Sequence, residues 1–323
     1  MVAVLFYICI IIHICYFLQP YILLIIRKEE TMYPYTICID ASVDIPSEVI
    51  TDNGIVILPM EYMLDGRQCL MRDRLTEEEL KDFYNAMRAG SLTSTSQITP
   101  YYYKETFEAE AAKGNSILYL SLSGGLSNTY LSAQTAAAEV MEAHPEIRIE
   151  VVDSLSATGG MGLLLLAAIG ARKDGLSLED NAAWLRENTA RICHWFLVDD
   201  LVYLRRGGRI SAAAAVTASV LNIKPILKIA DDGKLVTIAK KRGLAKASAF
   251  LVECCEHAIN LSLPGEIIIA HADAPEQARL AADKLTSMYP DCHVQICGLG
   301  PVIGAHTGPG MLAVIHWGNR NYA

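Results

Sequence analysis

Four short segments carry side chains that could bind a small anionic ligand or react with one. Each combines hydroxyl, guanidinium or imidazole groups with flanking apolar runs, and three of them also contain glycine. In chain order they are 93–97 (TSTSQ), 121–129 (SLSGGLSNT), 204–210 (LRRGGRI) and 300–310 (GPVIGAHTGPG). Hydroxyls, arginines and free backbone N–H groups all donate hydrogen bonds that suit a carboxylate or a phosphate. The segments therefore indicate an anion-binding site.

The segment around Ser127 follows an apolar strand-like run and opens a helix-like run. Free N–H groups and the positive end of the helix dipole make such a turn an anion site. The alternative is that Ser127 is a plain N-cap. The segment matches neither the Walker A motif nor G-x-G-x-x-G, so nucleotide binding has little support.

The two later segments have the same two interpretations, ligand contact or ordinary structure. Arg205, Arg206 and Arg209 surround two glycines and would present a planar fork to an anion, or else form a solvated turn. His306 lies among closely spaced glycines and prolines, which specify the backbone more rigidly than most loops require. We expect this histidine to face a ligand, although a lone histidine is more often structural.

Hydrolysis by Ser127 with His306 is an alternative that the sequence supports weakly. A nucleophile elbow reads G-x-S-x-G, and Thr129 stands where the second glycine is required. No acidic third member is evident. The eight histidines are scattered, without metal-ligand spacing, so we expect no metal site.

The elements that must position these segments alternate between strand and helix from Tyr35 onwards. Strands separated by helices indicate parallel βαβ units. Strands are predicted at 36–40, 116–122 and 147–153, a hairpin at 55–71 turning at 65–66, and helices at 100–114, 128–143 and 157–173. A further helix is predicted to begin at 76–79 and to carry apolar residues at 80, 83, 84 and 87. Thr76 and Glu79 form a capping box, and Ser42 or Asp44 is expected to cap a helix entered at Pro46.

The pattern changes after residue 174, where a new helix capped by Ser177 begins. Predicted strands lie at 194–200, 266–272, 293–299 and 311–318, with a hairpin over 223–241 and helices at 244–260 and 276–288. We therefore predict an α/β protein of two domains. Residues 32–174 would form an N-terminal domain with a parallel sheet, and residues 175–323 a C-terminal two-layer domain with a mixed or antiparallel sheet.

Composition excludes several classes of protein for this chain of 323 residues. A hydrophobic content of 52% is too high for a disordered chain, and 20% charged residues are too many for a multi-span membrane protein. The net charge of −9 argues against nucleic-acid binding, which requires surplus lysine and arginine. Nine cysteines without a C-x-x-C pair are expected to be reduced thiols in the cytoplasm.

The first 26 residues contain no charged side chain and are long enough to span a bilayer. They are either an extension upstream of a true start at Met32 or a membrane anchor, which would make the protein a tethered interaction module. Arg27 and Lys28 follow the segment, so an inserted anchor would leave the remainder in the cytoplasm. Residues 1–31 are treated as a separate region.

From about Thr36 to the C-terminus, the chain resembles the DegV family of bacterial fatty-acid-binding proteins. Seven stretches carry the resemblance: 40–46 (DASVDIP), 95–97 (TSQ), 126–133 (LSNTYLSA), 152–154 (VDS), 198–201 (VDDL) with 204–209 (LRRGGR), 221–227 (LNIKPIL) and 303–310 (IGAHTGPG). Each is moderately specific, and their shared order makes chance implausible. Ala41, Asn128 and Leu131 depart mildly from the usual family residues, and residues 1–31 lie outside the pattern.

The resemblance implies a protein without its own nucleotide site that buries a long-chain fatty acid between two α/β domains. A separate ATP-binding kinase would phosphorylate the carboxylate, and an acyltransferase system would use the acyl phosphate in phospholipid synthesis. Thr95 and Ser127 would hold the carboxylate beside His306, with support from Ser96 and Asn128.

The resemblance also implies that Arg209 and Arg242 favour the kinase encounter or the charge of the acyl phosphate. The fatty acid would be the ligand, with no other cofactor, and membrane contact would depend on residues 1–26. The helix at 157–173, which is rich in leucine, alanine and glycine, either lines the tunnel for the acyl chain or packs in the core, and core packing is the simpler explanation of its composition.

Overall fold

A computed structural model describes residues 35–211 and 222–322 of the chain. The region 1–31, with its two interpretations as extension or anchor, lies outside the described residues. Within the described ranges, no helix combines the length and the apolar character needed to cross a bilayer. The described residues belong to one compact unit, and the domain boundary at residue 174 stays a prediction.

The first half of the chain alternates strands with helices. Its strands are β1 (Thr36–Asp40), β2 (Val56–Leu58), β3 (Met60–Leu64), β4 (Arg67–Met71), β5 (Thr93–Ser96), β6 (Ile117–Ser121) and β7 (Ile149–Asp153). Its helices are α1 (Ser47–Asp52), α2 (Glu77–Arg88), α3 (Pro100–Ala111), α4 (Thr129–Ala143), α5 (Gly159–Lys173) and α6 (Leu178–Asn188).

The second half continues with strands β8 (Ile192–Leu197), β9 (Ile223–Ile229), β10 (Leu235–Arg242), β11 (Glu266–His271), β12 (His293–Gly298) and β13 (Leu312–Trp317). Its described helices are α7 (Val202–Arg206), α8 (Leu244–Ala258), α9 (Pro275–Met288) and α10 (Pro301–Thr307).

The first half forms a four-stranded parallel sheet in the order β2-β1-β6-β7. Strand β6 is buried at every position, as expected where helices cover both faces of a parallel sheet. The second half forms a six-stranded sheet in the order β10-β9-β8-β13-β11-β12, antiparallel except for the parallel pair β11 and β12. The predicted α/β class, with a parallel sheet followed by a mixed sheet, is confirmed.

A third sheet has the order β4-β3-β5 and includes most of the segment 93–97, for which the sequence analysis predicted no strand. Strand β5 pairs with β3 so that Thr95 lies opposite Tyr62. Every residue of β5 carries a hydroxyl group. The alternation of apolar and polar residues that usually indicates a strand was therefore missing. The predicted hairpin is present, and positive φ angles at Asp65 and Gly66 form its turn.

Helix capping was predicted correctly at the starts of α2 and α6 and wrongly at α1. The capping box of Thr76 and Glu79 is present in α2, and the Ser177 side chain accepts a hydrogen bond from the backbone of Asp180 in α6. Helix α1 instead follows Pro46 without a side-chain cap. Ser42 donates to Asp40, and Asp44 accepts a 2.8 Å hydrogen bond from the backbone of Gly300. Ser42 thus pairs with a residue before the helix, and the partner of Asp44 is too distant in sequence to be read from local spacing.

Helix α5 packs against the parallel strand β6 and against β8, β11 and β13 of the mixed sheet. Ten of its first fourteen residues are buried, which suits a helix that is largely apolar all round. Close packing explains its glycines, because a Cβ on Gly159 would lie 2.6 Å from the Ile268 side chain. The helix is therefore a core element in contact with both sheets.

Candidate functional site

An apolar cavity lies among residues from both halves of the chain. Its apolar walls come from Met60, Leu122, Leu126, Ala157, Phe196, Leu204, Ile229, Leu235, Val302, Ile303, Met311, Ala313 and Ile315. Its polar lining residues are Thr95, Ser96, Gln97, Ser127, Thr158, His194, Arg209, His306 and Thr307.

Thr95 and His306 form the centre of one polar region of this lining. The Oγ1 atom of Thr95 is 2.7 Å from Nε2 of His306. Thr93, two residues earlier on the same face of β5, donates to the backbone oxygen of Ala305 and so anchors the strand to α10. With a proton on Nε2, His306 would donate to Thr95 and leave the Thr95 hydroxyl proton available to a ligand.

Arg209 joins this region to the segment that contains Ser127. Its Nε donates to the backbone oxygen of Leu126 over 3.1 Å. Ser127 is the next residue, and its Oγ is 2.6 Å from Oγ1 of Thr129. Among the described residues that line the cavity, Arg209 is the one with a permanent positive charge. The cavity therefore has hydroxyl groups, an imidazole and a guanidinium group in one region.

Burial and the neighbouring Arg209 lower the pKa of His306 to about 4. Burial also lowers the pKa of Arg209, although arginine remains charged at any physiological pH. The imidazole is therefore neutral near pH 7. The positive charge available to an anionic ligand in this region comes from Arg209.

Gly207 allows the imidazole to lie against the chain after α7. A Cβ at this position would be 2.1 Å from Nδ1 of His306. The glycines of LRRGGRI thus have a packing role as well as a role in the turn.

Two segments differ from their predicted forms. Residues 202–206, at the start of the arginine segment, form the short helix α7, and residues 301–307, interpreted as part of a rigid loop, form α10. Both helices are short, which leaves little periodicity to detect.

The structure places five of the seven predicted site residues on the cavity wall, namely Thr95, Ser96, Ser127, Arg209 and His306. Asn128 is exposed at the start of α4, and Arg242 is exposed at the end of β10; neither lines the cavity. The roles assigned to all seven stay predictions.

The N-cap of α4 is Asn128, without a side-chain hydrogen bond, rather than Ser127. The predicted helix 157–173 reaches the cavity only through Ala157 and Thr158, which precede α5. Leu163, Leu164 and Leu165 are buried in the core, as the core-packing interpretation predicts.

The hydrogen bonds do not link Ser127 to His306. Ser127 pairs with Thr129, and His306 pairs with Thr95. An activated serine needs its base within hydrogen-bond reach, so the arrangement required for the esterase alternative is not formed. Within residues 35–211 and 222–322, no three histidine, cysteine or acidic side chains are grouped as metal ligands.

Sequence reasoning missed two residues of the cavity wall, His194 and Phe196. They lie two residues apart on β8, so their side chains are on the same face of the sheet. The continuous apolar run from 192 to 197 hid this alternation. The period of two along β8, combined with one histidine among apolar neighbours, was the available signal.

We predict that the His306 imidazole does not titrate near pH 6.5. The folded-state pKa of about 4 lies below the unfolded value, so protons bind preferentially to the unfolded chain. The stability contributed by the neutral ring is present above about pH 6.5 and is lost as the pH falls towards 4. Proton NMR of the histidine Cε1–H signals, assigned with His306→Asn, measures this. A midpoint near pH 6.5 would contradict the assignment of a buried, neutral ring.

A family model described as "Uncharacterised protein, DegV family" matches residues 34–317. A DegV domain-containing protein of Clostridium perfringens is 38% identical over 289 residues, covering 89% of this chain and 99% of that protein.

Two solved structures are similar along most of the chain. One is DegV from Bacillus subtilis, described as a fatty acid binding protein; it is 29% identical, with a TM-score of 0.75 over 88% of this chain and 98% of that one. The other is the Streptococcus pneumoniae fatty acid kinase B3 protein loaded with linoleic acid, at 21% identity and a TM-score of 0.75, over 88% of this chain and 99% of that one. Because the identity to this second structure is 21%, the similarity shows a shared fold alone.

Proposed function

Because this chain belongs to the DegV family, we propose that it binds a long-chain fatty acid in the cavity and presents the carboxylate to a separate ATP-binding kinase. The observation that carries the proposal is an apolar cavity with Thr95, Ser127, His306 and Arg209 gathered in one region of its wall. The protein itself would bind and position the substrate, and the kinase would supply the nucleotide site.

The apolar walls suit an acyl chain, since burial of each CH₂ group contributes about 0.8 kcal/mol. They come from both the 32–174 and the 175–323 region, consistent with a ligand held between the two predicted domains. A carboxylate left without partners in such an environment would be very unfavourable. The hydroxyls of Thr95 and Ser127 and the charge of Arg209 would satisfy it there.

Several cationic side chains lie near this region, although the whole chain carries a net charge of −9. Arg205 and Arg206 are exposed on α7, and Arg209 lies between them and the cavity. A second depression shares Arg209 with the cavity and includes Lys234 and Lys240. These cations would favour an acyl phosphate and a kinase surface of opposite charge.

Further parts of the proposal follow from the chemistry of the product. An acyl phosphate is an activated acyl group, which suits an acyltransferase system of phospholipid synthesis. Such a product would be released in the cytoplasm, and Arg242 would add to the basic face at the end of β10. Membrane contact remains part of the proposal only through residues 1–26.

Reconstitution with candidate ATP-binding kinases from the same organism tests the presentation step. We expect ATP-dependent formation of oleoyl phosphate, trapped as the hydroxamate, only when the kinase and this chain are both present. A chain that holds oleate but supports no acyl phosphate with any candidate kinase would refute presentation and leave binding intact.

A further inference from the structure

Two consecutive residues before helix α10 are held by side chains from the first half of the chain. The hydroxyl of Tyr84, on α2, donates to the backbone oxygen of Leu299 over 2.8 Å. Asp44, in the loop after β1, accepts a 2.8 Å hydrogen bond from the backbone N–H of Gly300. Gly300 is the N-cap residue of α10, so these two side chains fix the point at which the helix begins.

Both side chains are buried beneath the helix that they hold. Tyr84 has 0% and Asp44 1% of its surface exposed. A Cβ on Gly304 would overlap the Tyr84 hydroxyl, so the first turn of α10 lies directly against this group. A buried hydroxyl or carboxylate is costly without a hydrogen-bond partner. The start of α10 is therefore tied to one position, because a displaced helix would leave both groups without these partners.

The contact made by Asp44 is the stronger of the two near pH 7. Burial raises the pKa of Asp44 to about 6, although the hydrogen bond from Gly300 and the charge of Arg74 oppose this effect. The carboxylate is thus mostly ionised at neutral pH. A hydrogen bond to an ionised group is stronger than a neutral one, so Asp44 contributes a charge-assisted bond and Tyr84 a neutral bond.

Helix α10 carries His306 on the cavity wall, with Nε2 of the ring 2.7 Å from Oγ1 of Thr95. The helix has only seven residues and is thus about 10 Å long, at roughly 1.5 Å per residue. A tilt at its start would therefore move the ring near its end. Thr93 holds the same helix at Ala305, so side chains from the first half of the chain determine where the imidazole lies.

We propose that Asp44 and Tyr84 are positioning residues for the carboxylate site, and that they act by holding α10 so that the His306 imidazole stays buried against Thr95. Neither positioning residue lines the cavity, so neither touches the ligand. The imidazole in turn directs the hydroxyl proton of Thr95 towards the carboxylate. This inference rests on the proposed function, because it takes the wall beside Thr95 and His306 to be the place of the carboxylate.

Proton NMR titration of the His306 ring in the full chain tests these contacts without any ligand. In Tyr84→Phe and in Asp44→Ala, a released α10 should admit water to the ring. The pKa of His306 should then rise from about 4 by about one unit or more, towards the ordinary histidine value. Removal of the Asp44 charge acting only at a distance would lower this pKa instead, because a negative charge favours the protonated ring. A pKa that does not rise in the folded variants would overturn the proposal.

Tyr103→Phe is the matched control for Tyr84→Phe. Tyr103, on α3, is also fully buried, and its hydroxyl is 2.6 Å from that of Tyr119. It does not line the cavity. The control removes a buried hydroxyl in the same way and should leave the titration of His306 unchanged. A rise of equal size in Tyr103→Phe would show a general loosening of the fold and would contradict the positioning role.

The affinity for oleate measures the consequence for the carboxylate site. Asp44→Ala should bind oleate about 10-fold more weakly, as for the loss of one hydrogen bond to a charged group, and oleyl alcohol within about 2-fold of the unaltered chain. Asp44→Asn keeps an oxygen that can accept from Gly300 and should recover most of the affinity. Equal losses for the two ligands in Asp44→Ala would contradict the proposal. An unaltered chain that binds no oleate would refute the proposed function, and the ligand-free titration of His306 distinguishes that failure from a failure of the positioning contacts.

Discussion

Replacement of Arg209 by alanine is expected to weaken the binding of oleate by on the order of 10- to 100-fold. Arg209 supplies the permanent positive charge on the cavity wall and is tied to the backbone of Leu126. A hydrogen bond to a charged group contributes about 1.5–3 kcal/mol, and about 1.4 kcal/mol corresponds to a tenfold change in affinity. Titration calorimetry of the purified chain with oleate measures the loss.

The matched control for this prediction is Arg205→Ala. Arg205 is an exposed arginine in the same segment and does not line the cavity. Its removal changes the net charge equally and should leave the affinity for oleate within about 2-fold, since exposed charges away from a site have small effects. Equal losses in the two variants would show that long-range charge, rather than contact by Arg209, attracts the ligand.

The double variant Thr95→Val, Ser127→Ala is expected to weaken oleate binding by about 30-fold or more. Both substitutions nearly preserve side-chain volume and remove a hydroxyl donor from the region proposed for the carboxylate. A carboxylate buried with fewer donors loses part of the compensation for its desolvation. The loss should be smaller for oleyl alcohol, which has no charge to compensate.

Ser94→Ala provides the comparison for the double variant. Ser94 is exposed on β5 next to Thr95 and does not line the cavity, so its loss should change the affinity very little. The circular dichroism and unfolding transitions of all the variants establish that they are folded. An unchanged affinity in a folded double variant would rule out Thr95 and Ser127 as the carboxylate site.

The strands and helices that could be predicted are those with strong local periodicity. Short patterns indicated the capping box at Thr76, the turn at Asp65 and Gly66, and the turn at 231–233 between β9 and β10. Elements with weak periodicity were missed, such as β5 with its hydroxyl side chains and the short helix α10. Ser42 and Asp44 were misassigned as caps because Ser42 pairs with Asp40, which precedes it, and Asp44 pairs with the distant Gly300.

The candidate site also contains residues that local sequence patterns revealed and residues that they did not. Ser127 and His306 stood out because glycine and proline surround them, whereas the hydrogen bond between Thr95 and His306 joins residues 211 positions apart. No local pattern could identify that pair, or show that Asn128 and Arg242 lie off the cavity wall. His194 was hidden within an apolar run, since only the sheet pairing shows which face of β8 meets the cavity.

The central claim is that this chain holds a fatty acid, and native mass spectrometry of the protein purified from bacteria tests it most directly. We expect a mass increment equal to one long-chain fatty acid, with the same acid recovered by organic extraction. A delipidated sample should take up one equivalent of palmitate or oleate. A protein that is purified without ligand and takes up neither acid would contradict the account.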